Sequence, residues 1–311
     1  ALYPEALGRT SHQLFAVAMG RLFERDGLSR ALGVAGARQR LGLRRDLAAA
    51  LRREVEETRP TTLMISAENL FANVRSSGDA RRIARFLKPF ARRIHVVAYL
   101  RRQDRAMFSA WTHALRIGKS DDFAPPSTFR FNGRFDYATR LRHWAATFGR
   151  DSVDAIAFDG IEDVVTDFFR RAALSPPRAP GAPSNKSLDQ VRAAFMAELN
   201  AQLPRFVDGA LNPARADLSE AIDNAPGLGA PATLPARDAR AILSLYAASN
   251  ARLARDWNAG LPFFDGEFTE KGSDAEPVDV DHVIAIAARL WRRKQTEVAH
   301  LRARLKAAGA V

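Results

Sequence analysis

The chain has 311 residues, with 47 Lys plus Arg against 35 Asp plus Glu, a formal charge of +12, and no cysteine. That length buries a core without disulfide or metal staples, and the absence of thiols excludes zinc ribbons, iron–sulfur clusters, cysteine nucleophiles and redox pairs. No window approaches about 18 uninterrupted apolar residues, so the chain reads as soluble, without a membrane-spanning helix. A cytoplasmic location is expected from the missing cysteines. Lysine stands at six positions only, leaving 41 arginines. A field this positive concentrates anions of any kind, whether nucleic acid, sulfated or phosphorylated ligands, or membrane surface. Ala1 is not an initiator methionine and no signal-peptide pattern follows it, so further sequence is expected ahead of it.

After the extended start Leu2-Tyr3-Pro4, apolar residues at Leu14, Val17, Ala18 and Leu22 follow helical spacing, and residues 41–55 form a second amphipathic pattern ending before Pro60. The β-rich runs Leu63-Met64-Ile65-Ser66 and His95-Val96-Val97-Ala98-Tyr99-Leu100 predict buried strands. Between them Ile83, Phe86, Leu87 and Phe90 mark a helix, so strand, helix, strand predicts a right-handed parallel crossover. Residues 155–158 predict a third strand, between helices over residues 137–148 and 162–173. The expected fold is therefore α/β, with three layers in which helices flank a mainly parallel sheet, plus a helical C-terminal extension.

The proline-rich stretch 175–184 predicts a surface loop within a domain spanning residues 1–260. Helical patterns follow at residues 188–203, 236–257 and 281–305. In the last, Ile284, Trp291, Val298 and Leu305 recur every seven residues, which predicts a separate C-terminal amphipathic helix within residues 275–311. It docks on the domain, on a partner, or on a second copy.

Open parallel sheets bind ligands at the carboxyl ends of their strands. Two such ends are chemically rich: Ser66-Ala67-Glu68-Asn69 after the first strand, and Arg101-Arg102-Gln103-Asp104, leading to Ser109 and Trp111, after the second. An Arg at a strand end with a Ser eight residues later can converge on one phosphate, the guanidinium supplying a charge-assisted fork and the hydroxyl a further donor. Two glycine motifs do not carry this chemistry. Gly118-Lys119-Ser120 has His113 where a phosphate loop needs its first glycine, and Gly227-Leu228-Gly229 follows no strand.

Strand, Arg101, seven residues and Ser109 resembles the 3′-phosphate motif of sulfotransferases. Tyr99-Leu100-Arg101-Arg102-Gln103-Asp104 with Ser109 and Trp111, Ser66-Ala67-Glu68-Asn69-Leu70-Phe71, Tyr3-Pro4 with His12, Phe135-Asp136-Tyr137, Trp144 with Phe148-Gly149, and Val165-Thr166-Asp167-Phe168-Phe169 are similar to bacterial sulfotransferase-like proteins associated with surface carbohydrates. The matches run from about residue 2 to 200. The resemblance implies a P-loop-like α/β fold and transfer of a sulfuryl group from 3′-phosphoadenosine-5′-phosphosulfate to a hydroxyl of a carbohydrate or related acceptor, with no metal. It implies that Arg101 and Ser109 hold the donor's 3′-phosphate, with Arg102 and Lys186 as further nucleotide contacts, and that Glu68 is the general base, His12 the rival base. The family's Lys-Ser/Thr phosphosulfate loop has no counterpart in this sequence, and its place would be ahead of Ala1.

Each residue also has a structural reading. Arg101 is one of 41 arginines, Arg102 suits an ion pair, Glu68 suits a helix start, His12 a packed position and Lys186 a solvated helix start. Two other functions stay open: a noncatalytic sulfotransferase-like interaction module in polysaccharide assembly, and a basic nucleic-acid-binding protein, although no reading motif is present.

Overall fold

The apolar, β-branched run before Arg101 does form a strand, β1 (Val96–Leu100), and Val153–Ala157 forms β2 beside it in parallel, from Val96↔Val153 to Leu100↔Ala157. The computed structural model describes residues 1–9, 11–20, 29, 32–34, 36–118, 128–176, 188–207, 210–212, 215, 232–266, 268 and 280–307. Among the described residues the α-helices in chain order are α1 (Gln13–Met19), α2 (Ala37–Thr58), α3 (Glu68–Asn73), α4 (Ser77–Leu87), α5 (Gln103–Arg116), α6 (Tyr137–Phe148), α7 (Val164–Arg171), α8 (Gln190–Gln202), α9 (Ala236–Leu245), α10 (Ala247–Trp257) and α11 (Val280–Ala307). A short antiparallel pair, β3 (Phe206–Val207) and β4 (Ala210–Leu211), follows α8.

The structure is mixed α/β but mostly helical, and the expected three-layer, mainly parallel sheet does not form: among the described residues the parallel sheet has two strands. The first predicted strand, residues 63–66, contributes a single bridge, Leu2↔Leu63. Its physical limit is Pro4. Leu2 N–H donates to the Thr62 carbonyl at 2.8 Å and Met64 N–H to the Leu2 carbonyl at 2.8 Å, which is one parallel step. The next step needs a donor from residue 4, and proline has none. Ser66 N–H turns instead to the His12 ring.

Helix starts follow the sequence chemistry closely. Ser76 caps α4 by accepting from Asp79 N–H, and the Asp79 carboxylate reaches back to the Ser76 hydroxyl at 2.9 Å and to Arg75 N–H at 3.1 Å, a reciprocal cap of the Ser-x-x-acid kind. Asp136, Asp163 and Asp189 cap α6, α7 and α8 one-sidedly, each carboxylate accepting from a backbone N–H of the first turn. The single helix expected over residues 236–257 is broken in two at Tyr246, which is fully buried and whose hydroxyl accepts from Asn132 N–H at 2.9 Å.

The chain divides into two compact units. Unit one comprises residues 1–103, 131–180 and 244–266; unit two comprises residues 104–130, 181–243 and 267–311. The core of unit one gathers α1, α2, α4 and α6, with Phe15, Leu51, Ile83 and Leu141 at most 2 % exposed. Unit two is organised on Leu115, Leu188, Ala193 and Met196, against which Trp111 and Phe195 pack. There Asn200 Nδ2 donates to the Leu115 carbonyl at 3.0 Å. In α11 the heptad residues Ile284, Trp291, Val298 and Leu305 are all exposed. No helix among the described residues is long and apolar enough to cross a membrane.

Candidate functional site

Because β1 and β2 are parallel and in register, their carboxyl ends coincide. Arg101, directly after β1, therefore meets Phe158 and Asp159, directly after β2. The Arg101 guanidinium lies 4.4 Å from the Phe158 ring centroid, a cation–π contact that supports it from below. Its Nε stands 3.9 Å from Asp159 Oδ1, beyond hydrogen-bond reach. The Asp159 carboxylate is already engaged, since Oδ2 accepts from Arg102 N–H at 2.9 Å. The Arg101 side chain is 38 % exposed, and its N–H groups make no hydrogen bond among the described residues. An aromatic-supported guanidinium with free donors at the open end of a parallel pair is equipped to take an anion.

Tyr137 ties this edge to the segment after the first predicted strand. It is buried, its hydroxyl donates to the Arg101 carbonyl at 2.9 Å, and its ring lies 6.2 Å from Phe71 of α3 and 6.2 Å from Phe264. Burial pushes the Tyr137 phenol well above its usual range, so it remains a donor. Glu68 opens α3, one helical turn from Phe71, and is exposed at that helix start. Through Phe71, Tyr137 and the Arg101 backbone, the α3 start and the strand end belong to one aromatic-lined neighbourhood in unit one.

His12 is fully buried, in a left-handed conformation with φ 37°, and stacks on Tyr3 with ring centroids 4.0 Å apart. Its Nδ1 accepts from Ser66 N–H at 2.9 Å, which places the neutral ring's proton on Nε2. Nε2 itself is buried and has no hydrogen-bond partner. With its only lone pair occupied, this imidazole positions the Ser66 backbone two residues ahead of Glu68; it does not present a free base.

Burial is the main cause that lowers the His12 pKa, and burial followed by Arg140 and Arg142 lowers that of His143. A depressed base costs folding stability in acid: below about pH 6.5 the unfolded chain takes up a proton that the folded ring refuses. The thermal midpoint is therefore expected to fall as pH drops from about 6.5, until the lower folded-state value is reached. His12→Gln, whose amide oxygen can still accept from Ser66, should flatten that decline in melts recorded from about pH 8 to about pH 5. An unchanged slope in the variant would assign the acid sensitivity elsewhere.

Arg102 points away from this edge. It is 3 % exposed, its Nη1 donates to Asp265 Oδ1 at 2.7 Å and to the Asp265 carbonyl at 3.1 Å, and it thereby fastens residues 263–266. Ser109 is exposed on α5 in unit two, and its carbonyl accepts from the Thr112 hydroxyl at 3.0 Å. Lys186 lies outside the described residues, as do Lys119, Ser120 and residues 227–229. The sequence reading passed over Phe158 and Asp159. The signal was present for Asp159, which follows the third predicted strand as Arg101 follows the second; Phe158 was expected inside that strand, which instead ends at Ala157. Among the described residues no group of three or more His, Asp or Glu is placed to hold a metal ion.

Compared with known proteins, the chain matches no family model, no curated protein and no solved structure.

Proposed function

We propose that unit one binds a 3′-phosphorylated adenine nucleotide at the carboxyl ends of β1 and β2 and serves sulfuryl transfer from 3′-phosphoadenosine-5′-phosphosulfate to a carbohydrate hydroxyl. The observation that supports this reading is Arg101: a half-exposed guanidinium over Phe158, its N–H donors unused, at the strand end where the sulfotransferase resemblance expects the 3′-phosphate. In the reaction the acceptor oxygen forms a bond to sulfur while the bond from sulfur to the nucleotide's bridging oxygen breaks. Adenosine 3′,5′-bisphosphate leaves, and the acceptor proton passes to the Glu68 carboxylate. Such chemistry relies on positioning and on donors aimed at developing charge.

Titration calorimetry with adenosine 3′,5′-bisphosphate tests the reading. Arg101→Ala is expected to weaken binding by about 1.5–3 kcal/mol, the range for a hydrogen bond to a charged group, or about 10- to 150-fold in Kd. Adenosine 5′-phosphate, lacking the 3′ group, should bind wild type and variant alike. No heat with the bisphosphate, or an equal loss for both ligands, would dispose of the 3′-phosphate role. Glu68→Gln should leave nucleotide affinity unchanged and, in a chain that carries a phosphosulfate loop ahead of Ala1, lower sulfuryl transfer by about 10²- to 10⁴-fold. A module that binds without catalysis would show the Arg101 effect and no transfer for Glu68 to influence.

A further inference from the structure

The opposite, amino-terminal end of the same strand pair carries a groove of about 720 Å³, formed where α4 turns into β1 and α6 turns toward β2. Four cations line it: Arg85 and Lys88 from the end of α4, and Arg92 and Arg93 from the turn before β1; Asp151 is exposed on its far wall. All four cations are exposed, and none makes an ion pair or side-chain hydrogen bond among the described residues. Helix capping does not account for them. The Ala84 carbonyl already accepts from Lys88 N–H at 2.9 Å, and the Leu87 carbonyl accepts from Phe90 N–H at 2.9 Å and Ala91 N–H at 3.1 Å. The nearby His95 is also spoken for, its Nε2 lying 2.9 Å from Asp154 Oδ2.

We infer that this groove binds a linear anionic polysaccharide, whose sulfate or carboxylate groups accept from the four cations. The choice of polysaccharide over other polyanions rests on the proposed sulfuryl transfer and on the groove's lining. Single-stranded nucleic acid is held by cations together with exposed stacking rings, whereas of the two rings lining this groove Phe148 is half-buried and stacked on Trp144 at 5.7 Å, and the His95 imidazole is paired with Asp154. Duplex readers present a helix face or ribbon to a groove, and these cations come from a helix end and a turn. Sulfates and carboxylates need only charge-assisted N–H donors. The groove thus holds an acceptor chain that already bears negative charge, at the sheet end away from Arg101.

Binding of a short heparin oligosaccharide to the full chain tests this, with single-stranded DNA of similar charge and neutral dextran as comparison probes. Arg92→Glu/Arg93→Glu should raise the heparin Kd about tenfold or more and reduce its salt dependence. Arg52→Glu/Arg53→Glu, the same charge change on exposed residues of α2, should shift it by less than about threefold. Arg85→Gln/Lys88→Gln provides a second, milder perturbation of the groove. Equal losses in the two charge-reversed variants would reduce the effect to net charge and overturn the inference, as would unchanged binding in the groove variants. DNA binding as tight as heparin binding, lost with the same residues, would overturn the polysaccharide assignment. Arg101→Ala should keep heparin binding intact, so failure of nucleotide binding and failure of the groove are separately visible.

Discussion

Arg140→Met is expected to destabilise unit one by about 3 kcal/mol, which for a domain of this size lowers the thermal midpoint by about 6–12 °C. Arg140 is buried on α6, and its Nη1 donates to the Val74 carbonyl at 2.6 Å while Nε donates to the Gly133 carbonyl at 2.9 Å. Methionine keeps much of the volume and removes the buried charge, so the loss reports the stranded acceptors. Gly133 retains a long bond from Asp136 N–H at 3.4 Å, but Val74 loses its donor at the end of α3. Lysine should recover less than half of the loss, because a single ammonium on a flexible stem does not reproduce a planar fork. Scanning calorimetry checks both variants, and a midpoint within about 2 °C of wild type for Arg140→Met would show that water satisfies Val74.

Phe15→Ala should cost more, about 3–5 kcal/mol. Phe15 is 0 % exposed on α1 and packs edge-tilted on Phe86 of α4, ring centroids 5.4 Å apart, in the layer where these two helices meet. Truncation removes the transfer energy of a whole ring and leaves a cavity that rigid helices close only in part. Urea unfolding measures it: the midpoint should fall with little change in slope. Phe15→Leu should cost less than half as much. If alanine cost no more than leucine, α1 would be collapsing into the space, and its packing against α4 would be looser than the geometry implies.

Local pattern carries much of this protein's architecture. The apolar run before Arg101 and the short run after Ser152 form β1 and β2, a parallel pair that meets their backbone hydrogen bonds and buries Ala98, Leu100 and Val153, the other strand residues being partly buried. Asp and Ser at the starts of α4, α6, α7 and α8 set where those helices begin. The position of Arg101 in the chain was legible for the same reason, since it directly follows β1 at the carboxyl end of the strand.

Features requiring partners distant in sequence were not legible. Arg101 and Arg102 are adjacent and chemically equal, yet only the position of Asp265 turns one inward and leaves the other beside Phe158. His12 looked like a base until the Ser66 amide took its lone pair. The ladder beside Leu63 stopped because Pro4, arriving from the other strand, has no donor for the next rung. Propensity, periodicity and caps act over a few residues and are written in the sequence itself. Which way a buried charge points, and which amide reaches a ring, depend on hydrogen-bond partners 54 and 163 residues away that only the tertiary structure brings within reach.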